Sequence, residues 1–595
     1  MRIWPAAVLG LALVIASPTV AQADKAADAK FRALYKREWA WRKMEFPGRD
    51  REGAPLPDHF PLVDAASQVR RFVYWRTIRK ELAAIPEASL SAQEAVNYEV
   101  YADQLDTLIS QQKFREYEKP FNSDSSFWSG LGFTASRTFH TTQDYKNYIS
   151  QLNDILHYFH DQTEDMRAGL TRGFTPPRAT LVGREVSVTA IADARRAEAT
   201  NLWKPFKSMP AAVPPAEQEA LRAQARIAIE TKAQPAYRDL LRFLRDDYIP
   251  HTTQTLAAES LPDGKAYYRA QIKEFTTLDL EPEAIHQLGL SEVAKIHAQM
   301  LDVMKETGFK GDFPAFLTFL RTDPQFYVKD PQDLLNRAAW IAKRVDGKLP
   351  AYFGWLPRSR FGIEPVAPDI APFYTSARGG TNTYLLNTYD LPSRPLYNLT
   401  ALTMHESAPG HALQGGLAEE QAGLPEYLRE VYISAYGEGW ALYCERLGVE
   451  MGMYDTPYDR FGMLTFQMWR AARLVVDTGV HHKGWPRAQA IAYLHDNTAL
   501  ADHDIEIEVD RYISWPGQAL SYYLGMLAIL DVRAKAEAAL GPKFDIRAFH
   551  DTVLSMGSVP LPVLRARIDK FVAEGGRDPM PVTWQKPGGA EAAAP

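Results

Sequence analysis

Cysteine is almost missing from the 595 residues: Cys444 is the only one. An internal disulfide is therefore excluded, and stability falls to the hydrophobic core. With Leu442 and Tyr443 beside it, Cys444 itself reads as a small buried residue. No long Lys/Arg run occurs and the formal net charge is −6, so the electrostatic footprint of a nucleic-acid binder is lacking. Long apolar runs are lacking as well. The N-terminal stretch from Trp4 to about Ala16 falls short of the roughly 20 residues that span a bilayer. No internal repeat is present.

What is present suits a large folded protein. The 46% hydrophobic and 24% charged residues are a soluble globular balance, and the length allows one large core or several subcores. Arg2, the short apolar stretch and Ala21-Gln22-Ala23 predict a signal peptide over residues 1–23, cleaved before Asp24. The mature chain is then expected in the periplasm or outside the cell, without stable membrane insertion. From residue 24 to 275 stretches such as AQEAVNYEVYADQLDTLISQQ place apolar residues three and four apart and predict an N-terminal helical lobe, with a loop at Ser208 to Gln218. Residues 276–585 form the expected C-terminal catalytic half. Within it the composition turns to Pro, Gly, Thr, Asn and Tyr between Pro365 and Pro395. Thr381 to Asn387 has the make-up of a short strand. Residues 586–595 have too few large apolar side chains to pack and read as a tail.

The segment LTALTMHESAPGHALQ carries the strongest chemical signal. In H-E-x-x-H zinc sites two histidines four apart share a helical face and the Glu is left free as a base. Here His411 follows His405 by six residues. At about 100° per residue that leaves the second side chain about 120° off the face of the first. Pro409 lacks the backbone N–H and Gly410 tolerates unusual dihedrals, so a kink between the two histidines is expected, which brings His411 back. Downstream, Glu438 and Glu445 lie seven apart on one helical face in an apolar setting, where carboxylates need partners. Two His and one Glu with an open position is the composition of a catalytic zinc site. Glu445 fits a supporting partner of a ligating histidine.

HESAPGH, EGWALYCE, RAARLVVDTGVHHKGW and EVDRYISWPGQALSYYLG, in this order, resemble the bacterial DUF885 family over nearly the whole mature chain. That family is similar to the gluzincin metallopeptidases, mainly helical proteins holding zinc in a deep cleft. EGWALYCE also resembles the segment that supplies the third ligand of zinc aminopeptidases. The resemblance implies one zinc ion on His405, His411 and Glu438. It departs at Ala412, where the family often has a second histidine, and His481, His482 and His503 stand as substitutes for His411.

The expectation is a mainly α, gluzincin-like fold with a deep cleft and a small β element near the metal. The expected activity is zinc-dependent hydrolysis of peptides. Glu406 would take the proton of the attacking water, and His481 or Tyr522 would stabilise the oxyanion. Tyr512 is the second tyrosine candidate. Arg473 and Arg511 either grip a substrate carboxylate bidentately, which would favour small peptides or C-terminal cleavage, or pair structurally with Asp477 and Glu508. Arg378 to Asn387 is expected to offer an edge strand to an extended peptide. A metal-dependent amidase or esterase would use the same residues, whereas a periplasmic binding protein without turnover would have no use for Glu406.

Overall fold

The computed structural model describes residues 25–579 apart from 48–55, 124, 369–370 and 422. The expected signal peptide and C-terminal tail lie outside the described residues. Helices dominate, with three short strands among the described residues. The N-terminal helices are α1 (Lys25–Glu45), α2 (Ala65–Ala83), α3 (Ala92–Phe114) and α4 (Thr142–Arg172). Their starts are written locally. Asp64 and Ser91 cap α2 and α3, and Thr141 with Asp144 closes a capping box on α4.

Apolar side chains gather into two clusters. One contains residues of α1 to α3 from Ala27 to Phe114, together with Phe174 and the chain from Ala258 to Phe571. The other takes Leu56 and the chain from Phe121 to Tyr248. Helices α1 to α3, which belong by sequence to the N-terminal lobe, thus share their core with the C-terminal half.

At the centre of the larger cluster lies α9 (Pro457–His481), opened by Pro457 at its first turn and by the Thr456/Asp459 capping box. From Phe461 onward nearly every residue of α9 is buried, and Arg470, Arg473, Asp477 and His481 are buried with them. Around α9 pack α5 (Pro282–Glu306), α6 (Leu396–Glu406) and α8 (Ser434–Glu450); α7 (His411–Glu420), α10 (Asp502–Ser514) and α11 (Ser521–Leu540) complete the neighbourhood of the site. Helices α8 and α11 cross with almost no side chain between them. A Cβ on Gly439 would lie 2.5 Å from the Gly525 carbonyl carbon, and one on Gly525 would lie 1.9 Å from the Ala435 oxygen.

The small sheet has the order β1-β3-β2: β1 (Gly362–Pro365) runs parallel to β3 (Thr383–Leu386), and β2 (Ala377–Gly379) runs antiparallel to it. The predicted strand is therefore real, but it is central, not an edge. Leu385 pairs with both Glu364 and Arg378, so its backbone is already taken and no peptide can add there. The edge beside the site is β2.

Candidate metal centre

Helix α6 stops at Glu406 and α7 starts at His411, so the kink expected from Pro409 and Gly410 is a complete break between two helices. Three hydrogen bonds fix the intervening turn. Gly410 N–H donates to the Met404 carbonyl (3.1 Å), Ala412 N–H to Ser407 (3.1 Å), and the Trp440 indole to the Pro409 carbonyl (2.9 Å). Only glycine fits at 410, where a Cβ would stand 1.9 Å from the His405 oxygen. The turn places the two imidazoles with ring centroids 4.9 Å apart and planes at 85°.

Helix α8 brings in Glu438 and, two turns further, Glu445. One Glu438 oxygen lies 3.4 Å from Nε2 of His405 and 3.4 Å from Nε2 of His411, and the three ligand atoms lie within 4.8 Å of one another. A charge-assisted hydrogen bond would be shorter, about 2.7–2.9 Å. Two ligand atoms about 2.0–2.1 Å from a tetrahedral zinc stand about 3.4 Å apart, so the donor set fits that ion. Glu445, wholly buried, accepts from Nδ1 of His405 at 2.7 Å. In the neutral imidazole that bond puts the proton on Nδ1 and directs the Nε2 lone pair toward Glu438. Burial disfavours charge on His405, but Glu438 and Glu445 outweigh it and raise its pKa to about 10. Burial likewise pushes Glu438 up, and the two histidines overcome this and hold it well below the usual carboxylate range. In both cases a positive charge is favoured between the three side chains.

Glu406 follows His405 and faces the same cavity, and one of its oxygens accepts from Gly379 N–H of β2 at 2.5 Å. The cavity has a volume of about 530 Å³ and is open to solvent. Tyr522, Arg473 and Arg511 line it too. Tyr522 Oη accepts from Arg511 Nη2 (3.3 Å) and Gln518 Nε2 (3.5 Å). Arg473 bonds Glu508 at 2.8 Å and Arg511 stands 3.6 Å from the same carboxylate. Asp477 pairs instead with Tyr268 Oη (2.6 Å) and Gly517 N–H (3.1 Å).

Two expected residues lie elsewhere. His481 is buried with both ring nitrogens spent: Nε2 meets the Tyr512 carbonyl at 2.9 Å and Nδ1 accepts from Ala258 N–H at 3.1 Å. It does not line the cavity, so the oxyanion role expected of it has no geometric basis. Tyr512 is buried behind the wall, its hydroxyl accepting from Trp469 (2.8 Å) and Arg473 (2.9 Å). Of the substitutes for His411, His482 pairs with Glu259 at 2.9 Å and His503 is exposed; neither joins the cluster. Three residues escaped the sequence: Tyr432, whose hydroxyl donates to Glu438 at 2.8 Å; Gly379, through its N–H; and Arg470, which lines the cavity. Arg470 stands in the RAARLVVDTG segment and had a signal; Gly379 acts through its backbone and had none.

Among solved structures, a candidate lipoprotein from Colwellia psychrerythraea is 26% identical, with a TM-score of 0.82, over 92% of this chain and 98% of that one. A second candidate lipoprotein, of unknown function, from Shewanella oneidensis is 17% identical, with a TM-score of 0.66, over 91% and 98%. An M32 carboxypeptidase from Deinococcus radiodurans R1 reaches 13% identity and a TM-score of 0.28 over 85% and 100%, a level that carries no argument about fold or activity. The search of curated proteins finds no match. The family model for bacterial proteins of unknown function, DUF885, matches residues 49–568, and the chain belongs to that family.

Proposed function

We propose that the protein is a zinc-dependent hydrolase that cleaves peptides, exported to the periplasm or the cell exterior. The observation that carries this is the single Glu438 oxygen standing 3.4 Å from each of two imidazole nitrogens, beside the cavity-facing carboxylate of Glu406. His405, His411 and Glu438 would hold the ion, and Glu445 would keep the Nε2 lone pair of His405 directed at it. When bound, zinc supplies Lewis acidity to a water and to the carbonyl under attack. Glu406, steadied by Gly379 N–H, takes a proton from the water and returns it to the leaving amine. The Tyr522 hydroxyl accepts from Arg511 and Gln518, so its own proton is available to the developing oxyanion. Glu406 and the three side chains that would hold the ion line a cavity open to solvent, the access that an incoming peptide requires. The Ala21-Gln22-Ala23 pattern supports export.

The test is mass-spectrometric profiling of a mixed peptide library, run with the mature protein, its Glu406→Gln variant and a chelator control. Cleavage is expected in the untreated wild type alone, with Glu406→Gln reduced about 10²–10⁴-fold and still able to bind zinc. A zinc-loaded wild type that leaves every peptide intact would sink the peptidase assignment and redirect the search to non-peptide amides and esters.

A further inference from the structure

One stretch of the cavity wall gathers Arg470, Arg473 and Arg511 around the single lining carboxylate of Glu508. Arg470 and Arg473 follow one another at a one-turn interval on α9, both line the cavity, and they are 4% and 1% exposed. Nε and Nη1 of Arg470 and Nη1 of Arg473 meet neither a hydrogen-bond acceptor nor solvent. The faces of both guanidinium groups are occupied by aromatic rings: Arg470 lies 3.9 Å from the Trp469 ring centroid and 4.6 Å from that of Phe466, while Arg473 lies 4.4 Å from Trp469 and 4.3 Å from Tyr522. Such stacking fixes the planes and leaves the N–H edges to recognise an anion.

The neighbouring carboxylates do not complete the set. Glu508 is divided between Arg473 at 2.8 Å and Arg511 at 3.6 Å. Glu445 is 3.9 Å from Arg470 but already bonds His405 at 2.7 Å. Buried polar groups without partners are rare and call for a missing ligand, and a buried arginine without its own counter-ion is costly. An anion in the cavity would supply the charge that the fold withholds.

We propose that Arg470 and Arg473, with Arg511 beside them, form a subsite for a carboxylate of the substrate, and that this carboxylate is the C-terminus of the peptide. The inference rests on the peptidase assignment above for the identity of the ligand. Its placement follows from the contacts: Arg470 is separated from the ligand His405 by the single carboxylate of Glu445. At about 3.8 Å between successive Cα atoms, a carboxylate held there lies only one or two residues from a bond positioned at the metal. The activity is then that of a carboxypeptidase, and Arg470 and Arg473 set its specificity.

Binding and turnover separate this inference from the assignment beneath it. Zinc-loaded Glu406→Gln is titrated calorimetrically with Ac-Ala-Ala-Phe as the free acid, the same peptide as its C-terminal amide, and Ac-Ala-Ala-Glu amide. The free acid is expected to bind at least ten-fold more tightly than the Phe amide. That ratio is expected to fall at least five-fold when Arg470→Met is added, because Met keeps an apolar stem among the rings and removes the charge. Equal or absent binding of acid and amide overturns the subsite, as does an unchanged ratio in a folded Arg470→Met protein. If that variant does not fold, the acid-to-amide ratio decides alone. Tight binding of the Glu amide keeps the subsite and overturns its assignment to the C-terminus in favour of an acidic side chain. Cleavage of the same peptides by wild type is the second arm. Acid preference without cleavage retires the peptidase assignment and retains the subsite, whereas cleavage of acid and amide alike retains the peptidase and retires the subsite.

Discussion

Glu445 illustrates how a side chain that touches no substrate can still set a site. Its carboxylate accepts the Nδ1 proton of His405 at 2.7 Å, which fixes the tautomer and the ring plane. Glu445→Gln keeps the shape but removes the charge, and it should weaken zinc binding about 10–100-fold. Competition with a chelating dye measures this directly; unchanged affinity would mean that the ring is held by packing alone. His481 and His550 form another residue-scale pair. Both are buried with each ring nitrogen engaged, His550 between the Tyr443 hydroxyl (2.8 Å) and the Tyr352 carbonyl (2.9 Å). Burial lowers their pKa values to about 4 and about 3. Between those values and the unfolded value of about 6.5, the unfolded chain binds protons that the folded one refuses, so each histidine subtracts stability as pH falls. The loss is about 2 kcal/mol for each between pH 6.5 and 5. Asp477, raised by burial to about 7, acts with the opposite sign over the same range. The difference between wild type and His481→Gln therefore isolates the effect. Denaturant melts should show a shallower fall from pH 7 to 5 in the variant, and equal slopes would refute the assignment.

Two glycines decide how closely α8 and α11 approach. With Gly439 facing the Gly525 backbone, a methyl group at 439 would force the helices apart, since the contact at 2.5 Å is with main chain that cannot swing away. Gly439→Ala should cost about 1–3 kcal/mol in a urea melt. It should also weaken zinc binding, because the adjacent Glu438 moves with its helix; full stability in the variant would show that the crossing is softer than drawn. At this scale the sequence was legible wherever the cause was local. The break after His405 follows from Pro409 and Gly410, and the common face of Glu438 and Glu445 follows from their spacing. The position of β3 was not legible. Thr383–Leu386 reads as a strand on composition, but which strands flank it depends on β1, about 20 residues earlier, and on the chain doubling back through β2. The misplacement of His481 has the same origin: its surroundings come from Ala258 and Tyr512, remote in sequence.

Over the whole molecule, the proposed metal ligands, Glu406 and the arginine wall stand on helices whose apolar side chains belong to the larger cluster, while the chain from Phe121 to Tyr248, Phe174 apart, packs about a cluster of its own. A ligand that binds only the folded state stabilises it by RT ln(1 + [L]/Kd), about 2.7 kcal/mol at a hundred-fold excess over Kd. Removing zinc with a chelator should therefore raise hydrogen exchange in α6 to α8 and leave α4 unchanged. Equal acceleration in both would indicate one cooperative unit spanning the two clusters. The helical character of each half was readable from periodicity. The attachment of α1 to α3 to the core around the site was not, because an amphipathic face shows that a helix is buried and not against what.

That separation bears on how the chain can be altered. No side chain from the Phe121–Tyr248 cluster lines the cavity, so insertions there, away from Arg178–Thr180 on which α10 packs, leave the proposed ligand set and the wall in place. It is the natural place to graft a fluorophore, an affinity handle or a surface anchor, and the region in which relatives can diverge in length while keeping the same chemistry.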